Sequence, residues 1–163
     1  GEVKYLYNGN IARMYTNIQN IGNNGYNYTY DQLNRLKSAT AWQIDENGNM
    51  NLLEKNAYGV NLSYDADGNI LNLRRRATVE NPRMDNLKYY YYTQVGGIYE
   101  PATGIPADAT NKLSYVTDQV PTTRHNDIGN QESRNYEYDK IGNLTKDKSE
   151  EIEAIKWNLQ GKI

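Results

Sequence analysis

Tyr64-Asp65-Ala66-Asp67-Gly68-Asn69-Ile70-Leu71 reads as two short strands folded back on each other across an Asp-x-x-Gly turn. A carboxylate at the first turn position accepts hydrogen bonds from the backbone N–H groups that follow it. Gly68 supplies the positive φ where a Cβ would clash. Leu62, Tyr64, Ile70 and Leu71 give the flanking strands apolar side chains to bury. One such hairpin decides nothing; its recurrence does.

The pattern returns at Tyr136-Glu137-Tyr138-Asp139-Lys140-Ile141-Gly142-Asn143-Leu144. It returns again at Tyr28-Thr29-Tyr30-Asp31-Gln32-Leu33-Asn34-Arg35-Leu36, with Asn34 in the glycine's place. Asn is the non-glycine residue that best tolerates a left-handed backbone, so the exception obeys the same rule. Weaker copies are Tyr5-Leu6-Tyr7-Asn8-Gly9-Asn10-Ile11, which is shortened, and Ile44-Asp45-Glu46-Asn47-Gly48-Asn49-Met50. A further one, Ile155 to Ile163, has Trp157 for Tyr and Asn158 for Asp. A degraded unit begins at Tyr89-Tyr90-Tyr91-Tyr92 and resumes at Asn111-Lys112-Leu113. Copies lie about 15 to 35 residues apart, the spacing of repeat architectures.

These Tyr-x-Tyr-Asp-x-x-Gly-Asn-Leu units, with the Tyr-Asp-x-Leu-Asn-Arg-Leu variant, resemble the YD repeats of the Rhs family. That family includes bacterial polymorphic toxins, the cocoon components of insecticidal toxin complexes and the teneurins of animal cell surfaces. The resemblance runs from Tyr5 to Ile163. It implies an all-β fold: an array of hairpins forming a curved, partly open antiparallel sheet, one segment of a hollow shell. It also implies a secreted or cell-surface protein, with flanking repeats of a longer parent as partners and an enclosed toxin or other polypeptide as cargo. In that family catalysis lies elsewhere, in a variable C-terminal toxin and in a self-cleaving segment associated with an Asp-Pro pair. This chain has no Asp-Pro pair. The expectation is repeat wall, not enzyme.

The composition agrees with a thin, wet sheet. Among 163 residues there are 16 Tyr and no Phe. Tyr replaces Phe where a ring packs on one side and meets water or an acceptor on the other. A thick two-layer core would carry more Leu, Ile, Val and Phe. The net charge of −2, from 18 basic and 20 acidic residues, gives no reason to expect nucleic acid or an anionic membrane. No Cys means no disulfide and no thiolate metal site. No apolar run approaches the ~20 residues of a membrane span. A chain that opens without Met and ends inside a motif copy reads as a piece of a longer protein, whose cut edges invite self-association.

Along the chain, Ile11, Arg13 and Tyr15 alternate as a strand, and Gly22-Asn23-Asn24-Gly25 reads as a turn cluster. Tyr26 to Ala41 has a period near two, continuing through Trp42 and Ile44. Arg74-Arg75-Arg76 reads as a solvated strand end, with a phosphate or acidic partner as the alternative, and Asn81-Pro82 as a strand stop. Residues 94–110 and 119–131 read as irregular insertions in the array. Leu113 to Asp118 reads as a strand. Repeat phasing asks for another at Ile155 to Trp157, although Ile152 and Ile155 share a helical face.

Chemistry has little to stand on. In Asp65-x-Asp67-Gly68-Asn69 the glycine comes fourth and Arg76 twelfth, whereas an EF-hand loop needs glycine sixth and glutamate twelfth. Asp45-x-Asn47-Gly48-Asn49 fails the same test. His125 is the only histidine, with Asp127 nearby, but no Gly-x-Ser-x-Gly elbow or Cys nucleophile accompanies it. No spacing selects a carboxylate pair for glycoside hydrolysis. No cofactor, metal or catalytic set is expected. The residues singled out are those of the turns: Tyr30, Asp31, Asn34, Tyr64, Asp65, Gly68, Asn69, Tyr138, Asp139, Gly142 and Asn143. The rival reading is a carbohydrate- or cell-surface-binding module in which Tyr89 and Tyr91 stack on sugar rings.

Overall fold

In the computed structural model, residues 6, 8–19, 22–80, 83–95, 98–101, 109–120 and 128–163 are described. His125, Asp127, Asn81-Pro82, Tyr5 and Tyr7 lie outside them. Among the described residues the chain is all-β, with antiparallel sheets and a single 3-10 turn at Glu54–Asn56. It divides into two compact units, residues 1–63 with 72–86, and 64–71 with 87–163.

The first unit is a meander. Strands β1 (Arg13–Ile18), β2 (Gly22–Tyr30) and β3 (Leu36–Ile44) pair in order. β4 (Met50–Leu52) and β5 (Val60–Tyr64) both pair with β3; the Asp65–Asn69 turn that leads from β5 into β6 (Ile70–Arg75) belongs to the second unit. Gly22–Gly25, expected to turn, instead opens β2. The reason is packing. Gly25 lies opposite both Tyr15 of β1 and Trp42 of β3, and their rings stack with centroids 6.2 Å apart. A Cβ built on Gly25 would sit 2.2 Å from Trp42 Cζ2, so the glycine makes room for the indole. The Trp42 Nε1–H donates to Asn27 Oδ1 (3.2 Å), which also accepts from Arg13 Nε (2.7 Å), and the Arg13 guanidinium lies 5.4 Å from the indole centroid. Trp42 is 3% exposed and, with Ala39, Ala41 and Ala57, makes this unit's small core. At the edge of the path, β1 exposes Met14, Tyr15 and Ile18. Within the Arg74-Arg75-Arg76 run, Arg75 Nε pairs with the carboxylate of Asp85, whose side chain is 1% exposed.

In the second unit β7 (Asp85–Val95) pairs with β8 (Ile98–Pro101) and with β9 (Ala109–Asp118). The expected insertion at 94–110 is therefore partly strand. Val95 pairs with Ile98 and Tyr92 with Pro101 in antiparallel register, so β7 and β8 meet as neighbouring strands. The register shift after Tyr90 skips Ser114, which is fully buried. Its hydroxyl accepts the Arg134 N–H (3.1 Å). Gln131 runs beside β9, exchanging bonds with the Val116 backbone through its own N–H (3.0 Å) and through Oε1 (2.9 Å). The far end of the second insertion, 119–131, is thus tied to the sheet; 121–127 lie outside the described residues. Strands β10 (Tyr136–Tyr138) and β11 (Leu144–Asp147) form a separate two-stranded sheet. Ile155 to Trp157 is not a strand, nor does a helix form before it. Only the Ile155 N–H to Thr145 O bond (2.8 Å) and the Trp157 side chain hold it to β11, too few for a ladder.

Candidate functional site

The recurring turn is built the same way each time. At Asp139, Oδ1 accepts the N–H groups of Ile141 (3.0 Å) and Asn143 (2.9 Å), while Oδ2 accepts Asn143 Nδ2–H (2.9 Å). The backbone closes with Asp139 N–H to Asn143 O (2.9 Å) and Gly142 N–H to Asp139 O (3.2 Å), and Gly142 has φ 98°. Asp45 repeats all of this with Asn47 and Asn49, and Gly48 has φ 81°. Asp65 accepts both the N–H and Nδ2–H of Asn69 at 2.8 Å, with Gly68 at φ 96°. At Asp31 the φ is Asn34's, 64°, and the Arg35 guanidinium replaces the Asn side chain on Oδ2 (2.6 Å). Asn158, uncharged, still accepts from Gln160 and Lys162, with Gly161 at φ 69°.

The hydrogen bonds set the charge state. The Asn49 N–H and side chain hold the Asp45 carboxyl below its ordinary value. For Asp139 and Asp31 partial burial works upward, but the donors of the turn outweigh it and both are lowered. With every carboxylate oxygen so engaged, the turns are anchors. Among the described residues no group of three His, Cys, Asp or Glu could hold a metal ion.

A second regularity joins one turn to the next. The Tyr30 hydroxyl donates to the carbonyl of Ile11, the residue that leaves the Asn8-Gly9-Asn10 turn (2.9 Å). Tyr91, within β7, donates to Ile70 O (2.9 Å), the residue that leaves the Asp65 turn, and Tyr138, just before the Asp139 turn, donates to Leu113 O within β9 (3.0 Å). Trp157, standing where Tyr stands elsewhere, donates Nε1–H to Leu144 O (2.7 Å). Burial, against the hydrogen bond's pull, pushes the Tyr91 and Tyr138 hydroxyls up to about 12. Two turns touch directly, through Asn10 and Asn34 (3.2 Å), and the Asp65 turn reaches β9 through Asn69 and Asn111 (3.0 Å). The available signal was the wholesale choice of Tyr over Phe.

Of the two tyrosines assigned to sugar stacking, Tyr91 is half-buried with its hydroxyl committed to Ile70, and Tyr89 lies opposite Val116 within β7–β9. What sequence reading missed is a cleft of about 330 Å³ lined by Tyr92, Lys112, Arg134, Glu137, Tyr138, Asp139 and Lys140. Tyr92 and Tyr138 meet edge to face at 6.4 Å, and the Lys112 ammonium lies 5.9 Å from the Tyr138 ring centroid. These residues come from three separate strands and two turns, so no local spacing announces them. Among the described residues, no helix is long and apolar enough to cross a membrane. Comparison with protein-family models, with curated proteins and with solved structures finds no match.

Proposed function

We propose that this chain is a non-catalytic segment of a shell of the Rhs/YD-repeat type, within a larger secreted or cell-surface bacterial protein. Each turn with its flanking strands is one unit of a curved, partly open sheet, whose ends pair with flanking repeats of the parent. The observation that supports this is the link between successive turns. Tyr30 and Trp157 each stand before one turn and cap the carbonyl that leaves the preceding one, Tyr91 caps the carbonyl that leaves the Asp65 turn, and Tyr138, before its own turn, caps Leu113 in β9. A fixed connection between neighbours is what lets an array propagate by adding units. The work of such a wall is containment of a toxin or other polypeptide, which needs a large rigid surface and no reactive group. The exposed edge strand β1 would pair with the next unit and, without it, with a second copy of this chain.

Electron microscopy and limited proteolysis of the full-length protein test this reading. The expected result is a hollow particle that protects an internal polypeptide. A solid or extended particle with no protected fragment would overturn it.

A further inference from the structure

We propose that Tyr90 and Tyr115 form an oxidative cross-linking site, at which a peroxidase-type one-electron oxidant joins β7 to β9 through a carbon–carbon bond between the two rings. The tyrosines stand directly opposite each other in the β7–β9 register. Their rings are parallel to within 1°, with centroids 4.4 Å apart. The Tyr26–Tyr28 pair at 6.1 Å and the Tyr92–Tyr138 pair at 6.4 Å, edge to face, are more widely set. The Lys88 ammonium lies 5.1 Å from the Tyr90 ring centroid and helps hold that ring in the stack.

The hydroxyls set this pair apart. Tyr91, Tyr92 and Tyr138 each commit theirs to a backbone carbonyl. Among the described residues, the hydroxyls of Tyr90 and Tyr115 make no hydrogen bond. Oxidising a phenol removes its proton and strands any carbonyl that relied on it, and here no carbonyl does. Burial, and next the facing Tyr90, raise the Tyr115 hydroxyl, so the two phenol ends of the stack lie together.

Each phenol gives one electron and one proton to the oxidant and becomes a phenoxyl radical. The unpaired spin spreads to the ring carbons beside the oxygen. One such carbon from each ring couples with the other, and each then passes its hydrogen to its own oxygen, which restores both aromatic rings and both hydroxyls. With hydrogen peroxide as the terminal oxidant, two tyrosines and one peroxide give one dityrosine and two waters. The rings must slip to bond, but the strands already stand at pairing distance. This chain has no Cys and so no disulfide. A link from β7 to β9 closes a loop through β8 and constrains the unfolded chain as a disulfide does.

The test treats the folded chain at micromolar concentration with a peroxidase and hydrogen peroxide, and reads dityrosine fluorescence and the masses of tryptic peptides. Cleavage after Lys88, Lys112 and Arg124 leaves Tyr90 in peptide 89–112 and Tyr115 as the one tyrosine of peptide 113–124. We expect these two peptides joined within a monomeric chain, two hydrogen atoms lighter than their sum, with fragmentation placing the bond on Tyr90. The joined pair should vanish in Tyr90→Phe and in Tyr115→Phe, which keep the ring for the stack and break no hydrogen bond. In urea its yield should fall to that of the other tyrosine pairs, and the linked chain should unfold at a higher urea concentration than the unlinked one. The absence of the joined peptides, a bond on another tyrosine, a yield unchanged in urea, or links found only between chains would each overturn the proposal. The site does not rest on the shell reading, since the cross-link forms within one chain whether or not that chain encloses anything.

Discussion

Gly25→Ala adds one methyl group to a strand and should destabilise the protein, against the usual sign of that exchange. In an ordinary strand, alanine is better than glycine by about 0.5–1 kcal/mol because glycine loses more chain entropy on folding. At Gly25 the new Cβ would meet Trp42 Cζ2 at 2.2 Å, Cε2 at 2.5 Å and Cη2 at 2.7 Å. Reaching an ordinary contact of 3.4 Å means moving the indole by about 1.2 Å, the difference of the two distances. The ring has no slack. It stacks on Tyr15, lies near Arg13 and donates to Asn27. Overpacking of this kind costs about 1–3 kcal/mol, and loss of the Asn27 bond adds about 1. Set against the entropic gain, the net expectation is a loss of about 1–3.5 kcal/mol. The assay is urea unfolding followed by circular dichroism and fluorescence in a Trp157→Phe background, which leaves Trp42 as the sole indole. The variant's emission should shift to the red. In a Trp42→Val background the same Gly25→Ala change should regain its ordinary stabilising sign. A neutral or stabilising Gly25→Ala in the presence of Trp42 would refute the packing argument.

Tyr138→Phe and Tyr91→Phe should each cost about 1 kcal/mol by leaving Leu113 O or Ile70 O without its donor, measured by the same urea midpoints. Both hydroxyls are raised from 10.0 to about 12 in the folded chain, so their contribution is intact below pH ~10 and is lost as pH rises toward 12. A phenolate absorbance titration that shows every tyrosine ionising near 10 in the folded protein would contradict this. The carboxyls of Asp31, Asp45 and Asp139 are lowered from 3.8, so the turns are fully held above that value and loosen as pH falls below it. Hydrogen exchange at Asn49 and Asn143 should accelerate there, while exchange at Lys162, held by the uncharged Asn158, should not. Arg75→Met should cost about 3 kcal/mol, because it strands the carboxylate of Asp85 in a buried position, and a cost under 0.5 kcal/mol would show that the pair is dispensable.

The turns could be read from the sequence because their causes are local. An Asp or Asn at the first position and a Gly or Asn three residues later form all their defining bonds within five residues, and no distant contact is required. The all-β class followed from the same recurrence. Where the fold depended on contacts remote in sequence, local reading failed. Gly22–Gly25 has the composition of a turn, yet only the arrival of Trp42 from another strand gives Gly25 a reason to sit in β2. The β7–β8 pairing lay inside a stretch with no sustained period, and the segment at Ile155 to Trp157, where phasing asked for a strand, meets β11 through a single backbone bond and the Trp157 side chain, not a ladder. The cleft on Tyr138 is the extreme case. Lys112, Arg134 and Lys140 have nothing in common along the chain, and only pairing in three dimensions sets their charges around one ring. Sequence thus determined what each turn does by itself, since a turn is a local minimum of the backbone. Tertiary structure decided what the tyrosines and the glycine at 25 do, since each acts through an atom supplied by another strand.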